Sequence, residues 1–201
     1  MHRTIFQTPV LKQIFYAIGW IILKVSGWKT EGHLPAAPKA IIIGAPHTSN
    51  WDFPLAMAAI FTRGWPMYWV GKHTLFKAPY GWFMRWLGGI ALNRSQASNT
   101  VNAYIDLFNK NESLYITLAP EGTRSLVTRW KSGFYHIAVG AEIPIVLGFI
   151  DKKTKTIGLG PAITVTGDLE KDMEAIGSFY ATKEGIKPEL FALPDLDAMR
   201  R

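Results

Sequence analysis

A histidine and an aspartate separated by four residues are the side chains of this chain best suited to proton transfer. The imidazole of His47 can remove a hydroxyl proton near neutral pH. The Asp52 carboxylate, bonded to the other ring nitrogen, would fix the tautomer and stabilise the imidazolium that forms. Two residues five apart on one α-helix lie about 140° apart around its axis. The two side chains can therefore meet only if they do not both lie inside one helix.

A second polar motif contains a candidate anion site. Gly122 permits a backbone conformation in which amide groups and the Arg124 side chain converge on one ligand. A guanidinium binds phosphate oxygens as a bidentate fork, so Arg124 is the first candidate for the phosphate of an acceptor. We expect substrate binding by the following residues: Arg94, Glu121, Gly122, Thr123, Arg124 and Lys131. In an alternative interpretation Glu121 and Arg124 form only a surface ion pair and Gly122 marks an ordinary turn.

Together the two motifs indicate acyl transfer to the hydroxyl of a phosphate-bearing alcohol. They resemble the first and third motifs of the glycerolphosphate and lysophosphatidate acyltransferase family. The first motif of that family is a His followed by four residues and an Asp, and the third is Glu-Gly-Thr-Arg. The resemblance extends over about residues 38–150. The second family block departs at Asn93, and the fourth, residues 143–147, lacks its second proline, which leaves the acceptor open.

The resemblance implies direct transfer of a fatty acyl group from an acyl carrier protein or coenzyme A thioester to a lysophospholipid. The default acceptor is 1-acyl-glycerol-3-phosphate, and other lysolipids, such as a monoacylated amino-acid lipid, use the same machinery. No covalent enzyme intermediate is needed. We expect neither a metal nor a further cofactor, because the chain has no cysteine and no cluster of His, Asp and Glu at metal-ligand spacing. The rival class is a non-catalytic lipid-binding or RNA-binding protein at the membrane surface.

Hydrophobic patterning predicts where the two motif residues lie. Residues 40–46 form a buried strand that ends in a Gly/Pro turn, and residues 53–61 form a helix with Pro54 in its first turn. His47 is thus predicted in a loop and Asp52 at the mouth of the helix. Alternatively, Ser49 or Asn50 caps this helix, Asp52 complements its dipole and His47 is incidental.

The same patterning predicts one α/β domain, with a single layer of sheet covered by helices. Strands are expected near residues 40, 67, 90, 114 and 145 and over 157–166. The family resemblance adds that the sheet is mixed, with both motifs at one edge. We divide the chain into an N-terminal membrane-associating helix and linker, residues 1–36, and an acyltransferase domain, residues 37–201, whose motif-bearing core is about 38–150. The segment from Asp168 onward predicts only a helix and a polar tail.

Composition favours a membrane surface as partner. A net charge of +7 indicates an anionic partner, either a nucleic acid or an acidic lipid surface. Eight tryptophans favour lipid, because aromatic rings concentrate at the headgroup level, and no nucleic-acid-binding motif is present. We therefore expect an anionic membrane surface, no nucleic acid, and a peripheral or monotopic protein on the cytoplasmic face of the cell membrane.

Two apolar segments are candidates for this contact. Residues 14–23 form a ten-residue uncharged run, about half of the roughly 20 residues that a spanning helix requires. This run is predicted to lie in the membrane interface, the alternative being a core helix packed on the domain. Residues 80–89 predict an aromatic helix that ends at glycines, and the segment 76–89 either dips into the bilayer, lines an acyl groove, or packs on the sheet.

Overall fold

The computed structural model describes residues 4–92 and 97–199. In this part of the chain seven strands form one sheet: β1 Lys29–Glu31, β2 Lys39–Ala45, β3 Met67–Lys72, β4 Gly89–Leu92, β5 Leu114–Leu118, β6 Ile145–Asp151 and β7 Thr156–Ile163. The helices are α1 Pro9–Ser26, α2 Asp52–Arg63, α3 Gly81–Trp86, α4 Ala97–Asn109, α5 Gly133–Gly140, α6 Leu169–Tyr180 and α7 Leu196–Met199. Short 3₁₀ helices span Ile5–Gln7, His73–Phe76 and Pro188–Leu190.

The sheet is mixed, as predicted. Its strand order is β1-β7-β6-β2-β5-β3-β4, with β6 and β7 antiparallel and the other neighbouring pairs parallel. The expected strands near residues 40, 67, 90, 114 and 145 are β2 to β6. The strand expected over residues 157–166 is β7, which ends at Ile163 rather than at residue 166. Because β2, β5 and β6 run parallel, their carboxyl ends lie at one edge of the sheet.

The sequence reading missed β1. This strand has only three residues, Lys29–Glu31, and lies within the segment predicted as N-terminal helix and linker. Its residues show no run of apolar side chains, so neither periodicity nor length marks it as a strand. It joins the sheet through backbone pairing with β7, from Lys29 opposite Thr156 to Glu31 opposite Gly158.

The central strand β2 is covered on both faces, and its alternation separates the helices into two layers. Ile41 and Ile43 face a core shared with α4, α5 and α6. Ala40 and Ile42 face a core shared with α2 and with Phe76 of the 3₁₀ helix before α3. We call the layer that contains α1, α2 and α3 the first face and the layer that contains α4 to α7 the second face.

Helix α1 packs on α2 along one side only. A Cβ on Gly19 would lie 2.8 Å from the carbonyl oxygen of Ala58, so the two helices are in close backbone contact there. Leu23 is buried beside α2, and the Phe15 ring lies 5.0 Å from that of Phe61. Most of the remaining side chains of α1 are exposed. One side of α1 therefore contacts protein, as the packed-helix alternative expects, and the other side is uncovered.

Candidate active site

The loop between β2 and α2 brings the predicted base and its carboxylate together. His47 follows the end of β2, and Asp52 is the first residue of α2, with Pro54 in the first turn, as predicted. His47 Nδ1 lies 3.1 Å from Asp52 Oδ2. The same oxygen accepts a hydrogen bond of 2.8 Å from the backbone N–H of Ser49. Since Nδ1 is engaged, Nε2 is the ring nitrogen left for a substrate proton.

Burial distinguishes the two members of this pair. Asp52 is 7% exposed, whereas the His47 side chain is 25% exposed. Among the described residues, Asp52 Oδ1 is buried and has no hydrogen-bond partner within the protein. The capping interpretation does not describe this helix start, because its N-cap residue is Trp51 and no side chain caps it.

Glu121 joins the second motif to the first. The strands β2 and β5 are neighbours, with Ile43 opposite Leu118, so the loops that follow them meet. The backbone N–H of His47 donates to both carboxylate oxygens of Glu121, at 3.1 and 3.0 Å. Glu121 is 5% exposed, and among the described residues it forms no ion pair with Arg124. The carboxylate that the sequence assigned to substrate binding therefore faces the backbone of the base.

The environment of Glu121 makes it harder to ionise. Burial raises the pKa of its carboxyl group from the ordinary 4.5 to about 7. The hydrogen bond from the His47 backbone opposes this rise in pKa, and the negative charge of Asp52 adds to it. Glu121 therefore keeps its proton to a higher pH than an exposed glutamate does.

The remaining residues of the second motif, Gly122 to Arg124, follow Glu121 in the loop after β5. Gly122 has a φ of 68°, and a Cβ there would lie 2.8 Å from Lys131 Cε. The Lys131 backbone N–H donates to the Pro120 carbonyl at 2.9 Å, which fixes this contact. Arg124 and Lys131 are exposed, and Thr123 is half-buried. Arg124 therefore follows this turn closely in sequence, Lys131 contacts it at Gly122, and both side chains are exposed.

The predicted anion residue Arg94 lies outside the described residues, as does the neighbouring Asn93. Within residues 4–92 and 97–199, no three His, Cys, Asp or Glu side chains are grouped closely enough to hold a metal ion. His136, on α5, is exposed and distant in sequence from both motifs.

The sequence reading missed a set of supporting residues near the C-terminus. The Thr48 hydroxyl accepts a hydrogen bond from the Lys187 backbone N–H at 3.0 Å. A Cβ on Gly185 would lie 2.8 Å from Thr48 Oγ1, so this chain segment runs directly against the histidine loop. The Tyr180 hydroxyl lies 2.8 Å from the Ile43 carbonyl oxygen, just before the loop. Spacing and periodicity carry no signal for such contacts.

Comparison with known proteins identifies the family and the fold. A model of the acyltransferase family matches residues 28–147, more than half of the chain, including both motifs. The chain belongs to the acyltransferase family. The fold of this acyltransferase is similar to the crystal structure of the 1-acyl-sn-glycerophosphate (LPA) acyltransferase, PlsC, from Thermotoga maritima, with a TM-score of 0.57 and 20% sequence identity. The similarity covers 85% of this chain and 78% of that chain. A search among curated proteins found no match.

Proposed function

We propose that this acyltransferase moves a fatty acyl group from an acyl thioester to the hydroxyl of a lysophospholipid, with 1-acyl-glycerol-3-phosphate as the first acceptor. The observation that carries the proposal is the contact of 3.1 Å between His47 Nδ1 and Asp52 Oδ2, beside a turn that presents Arg124 and Lys131. A general base next to exposed cations suits an acceptor with both a hydroxyl and a phosphate.

The proposed mechanism is a direct transfer within a ternary complex. His47 Nε2 removes the proton of the acceptor hydroxyl while its oxygen attacks the thioester carbonyl. Asp52 holds the ring in the correct tautomer and stabilises the imidazolium. As the tetrahedral intermediate collapses, the C–S bond breaks and the imidazolium returns the proton to the leaving thiolate. The products are the new ester and the free thiol of coenzyme A or acyl carrier protein, and the enzyme is unchanged.

The cations on the second loop suit the acceptor phosphate. Arg124 offers a planar fork of donors for two phosphate oxygens. Lys131 adds a single positive charge, and its stem lies against Gly122, so its backbone position is fixed relative to the turn. Arg94 is a third candidate on sequence grounds. Glu121 contributes by holding the backbone of His47 rather than by contacting phosphate.

Helix α1 supports a location at the membrane. Of the described helices it alone is long and apolar enough to cross a bilayer by length and composition, and only 11% of its residues are buried. Its contact with α2 through Gly19 and Phe15 keeps one side on the folded domain. We propose that α1 lies in the interface rather than across the membrane. The positive charge of the chain suits the anionic cytoplasmic leaflet.

A lysolipid panel tests this function. Purified protein in detergent is supplied with acyl carrier protein or coenzyme A thioesters and with 1-acyl-glycerol-3-phosphate, phosphate-free lysolipids or a monoacylated amino-acid lipid. We expect free thiol only when an acceptor is present, and most with 1-acyl-glycerol-3-phosphate. A higher rate with the amino-acid lipid would make that lipid the acceptor in place of 1-acyl-glycerol-3-phosphate, and the proposed acyltransferase activity would stand. Absence of thiol release with every pair would make the protein a lipid-binding module.

A further inference from the structure

A second exposed apolar surface lies between β3 and β4. We call residues 72–86, which contain the His73–Phe76 3₁₀ helix and α3, the aromatic segment. Tyr80 and Trp82 in this segment are each 70% exposed, and Leu75 is also exposed. A group of large exposed apolar side chains within one short segment marks a candidate interaction surface.

The exposure of these rings is not the result of a loosely held loop. Phe76 is buried, and its ring lies 5.7 Å from that of Trp69 in β3. The Arg85 guanidinium donates to the Phe76 carbonyl at 3.2 Å, and the Gly81 N–H donates to the Lys77 carbonyl at 2.8 Å. The aromatic segment is therefore anchored on its inner side and presents Tyr80 and Trp82 outward.

The aromatic segment adjoins α1 on the first face of the sheet. The Phe15 ring of α1 lies 5.9 Å from the Trp86 ring in an edge-on contact and also contacts Phe61 of α2. The uncovered side of α1 and the exposed rings of the aromatic segment are thus parts of neighbouring elements.

The charge on this part of the chain identifies the kind of partner. Residues 53–105 contain five Lys and Arg and no Asp or Glu, whereas residues 106–201 contain thirteen Asp and Glu against twelve Lys and Arg. Lys72 and Lys77 are exposed at the start and the middle of the aromatic segment. Aromatic rings next to lysines are typical of protein surfaces that lie at the headgroup level of a bilayer.

We propose that the aromatic segment is a second membrane contact, with the headgroup region of an anionic bilayer as its partner. Tyr80 and Trp82 insert at the headgroup level, and Lys72 and Lys77 contact lipid phosphates. An acidic protein such as acyl carrier protein also suits a positive surface. The packing of the aromatic segment against α1, whose other side is uncovered and apolar, favours the bilayer.

The position of this contact has a consequence for the candidate active site. The Trp69 ring, which stacks with Phe76, also lies 4.8 Å from Phe53, the residue after Asp52. Trp51, just before Asp52, is exposed. The aromatic segment therefore connects through the rings of Trp69 and Phe53 to the first turn of α2, the helix that begins at Asp52.

The absence of cysteine from the sequence makes the contact directly measurable. Three full-length variants, Trp82→Cys, Ile14→Cys and Val139→Cys, each carry one environment-sensitive fluorophore on the aromatic segment, on α1 or on the second face. They are mixed with phosphatidylglycerol/phosphatidylcholine vesicles that contain a nitroxide-labelled lipid. We expect a blue shift and quenching at positions 82 and 14 and neither at 139. A label at 82 that stays in water overturns the proposal, and so does a response at 82 to acyl carrier protein but not to vesicles.

Vesicle binding and activity then separate this proposal from the transferase itself, on which it does not depend. The double variant Tyr80→Ser, Trp82→Ser should lose about tenfold in partition to anionic vesicles, because two exposed aromatic rings no longer enter the interface. Leu193→Ser, an exposed apolar residue in the C-terminal segment, is the matched control and should bind as the parent does. Thiol release with a short, water-soluble lysolipid should be unchanged in both. Parental vesicle binding by the double variant contradicts the second contact, whatever the activity.

Discussion

The two loops that meet at the carboxyl edge of the sheet are built in opposite ways. In the histidine loop, Thr48 and Ser49 are buried, and the backbone of His47 is held by a carboxylate from the other loop. In the loop after β5, Glu121 alone of the polar motif residues is buried, and Arg124 is exposed. A fixed loop suits proton transfer, which requires a set geometry, and an exposed cation suits recognition of a charged substrate. Changes in the first loop should therefore act on kcat and changes in the second on KM.

The largest effect is expected from removal of the base. His47→Ala should lower kcat by about 10²- to 10⁴-fold, the usual contribution of a general base, while the fold is kept because a partly exposed loop side chain adds little packing. The measurement is thiol release in the lysolipid assay, with the far-ultraviolet circular dichroism spectrum as a check on folding. The control is His136→Ala, which removes an exposed histidine of α5 and should leave kcat unchanged. A folded His47→Ala protein with parental kcat would exclude His47 as the base.

A slightly smaller loss is expected when the orienting carboxylate becomes neutral. In Asp52→Asn the amide either turns its NH₂ group to Nδ1, which imposes the wrong tautomer, or keeps an oxygen there without the charge that stabilises the imidazolium. We expect kcat to fall by about 10²-fold or more, with little change in the acceptor KM. If Asp52→Asn changed only KM, Asp52 would have a role in substrate binding and not in proton transfer.

Glu121 should behave as part of the fixed loop although it belongs to the other motif. Its folded-state pKa of about 7 lies above the ordinary value, so burial costs little stability below about pH 4.5 and progressively more as the pH rises to 7. The full cost is about 3 kcal/mol. Glu121→Gln does not titrate and keeps an acceptor for the His47 N–H.

Urea unfolding of the parent and of Glu121→Gln between pH 4.5 and 8 measures this difference. The parent should lose stability relative to the variant as the pH rises through this range. Glu112→Gln, at an exposed position between α4 and β5, is the control and should follow the parent. Parallel profiles for the parent and Glu121→Gln would mean that the carboxyl group titrates normally.

The smallest of these effects is expected on the exposed side of the second loop. Arg124→Ala removes a charge-assisted phosphate contact worth about 1.5 to 3 kcal/mol, so the acceptor KM should rise about 10- to 100-fold with an unchanged donor KM. Arg124→Lys keeps the positive charge but loses the planar fork of donors, so its acceptor KM should lie between those of the parent and of Arg124→Ala. Lys110→Ala on α4 is a control for loss of any surface cation. A rise in the donor KM instead would assign Arg124 to the phosphates of coenzyme A.

The part of the site that could be predicted is the part encoded over short distances. A continuous apolar run marks β2, and Pro54 can lie only in the first turn of α2, so His47 and Asp52 are placed within one residue of their observed elements. The contact between them then follows from the short loop. The strand order does not follow from these local signals, and the family resemblance alone predicts that the sheet is mixed.

The orientation of Glu121 could not be predicted, because it depends on the turn at Gly122. The chain turns at Gly122, where φ is 68°, and the Glu121 carboxylate accepts from the backbone of the histidine loop. The sequence is equally compatible with a contact between Glu121 and substrate and with an ion pair between Glu121 and Arg124. The contacts of the segment after α6 cannot be predicted for a different reason. Local sequence patterns do not indicate which distant loop a C-terminal segment contacts.

Tyr180 and Lys187 bond to parts of the chain that are synthesised long before them. The Tyr180 hydroxyl reaches the Ile43 carbonyl across 137 sequence positions, and the Lys187 N–H reaches Thr48 across 139. Because a nascent chain emerges from its N-terminus, both motifs leave the ribosome before these two residues do. The strands from β2 to β6 can pair earlier, but the hydrogen bond to Thr48 in the histidine loop forms only after residue 187 has emerged. The support of the base is thereby tied to the synthesis of the segment after α6.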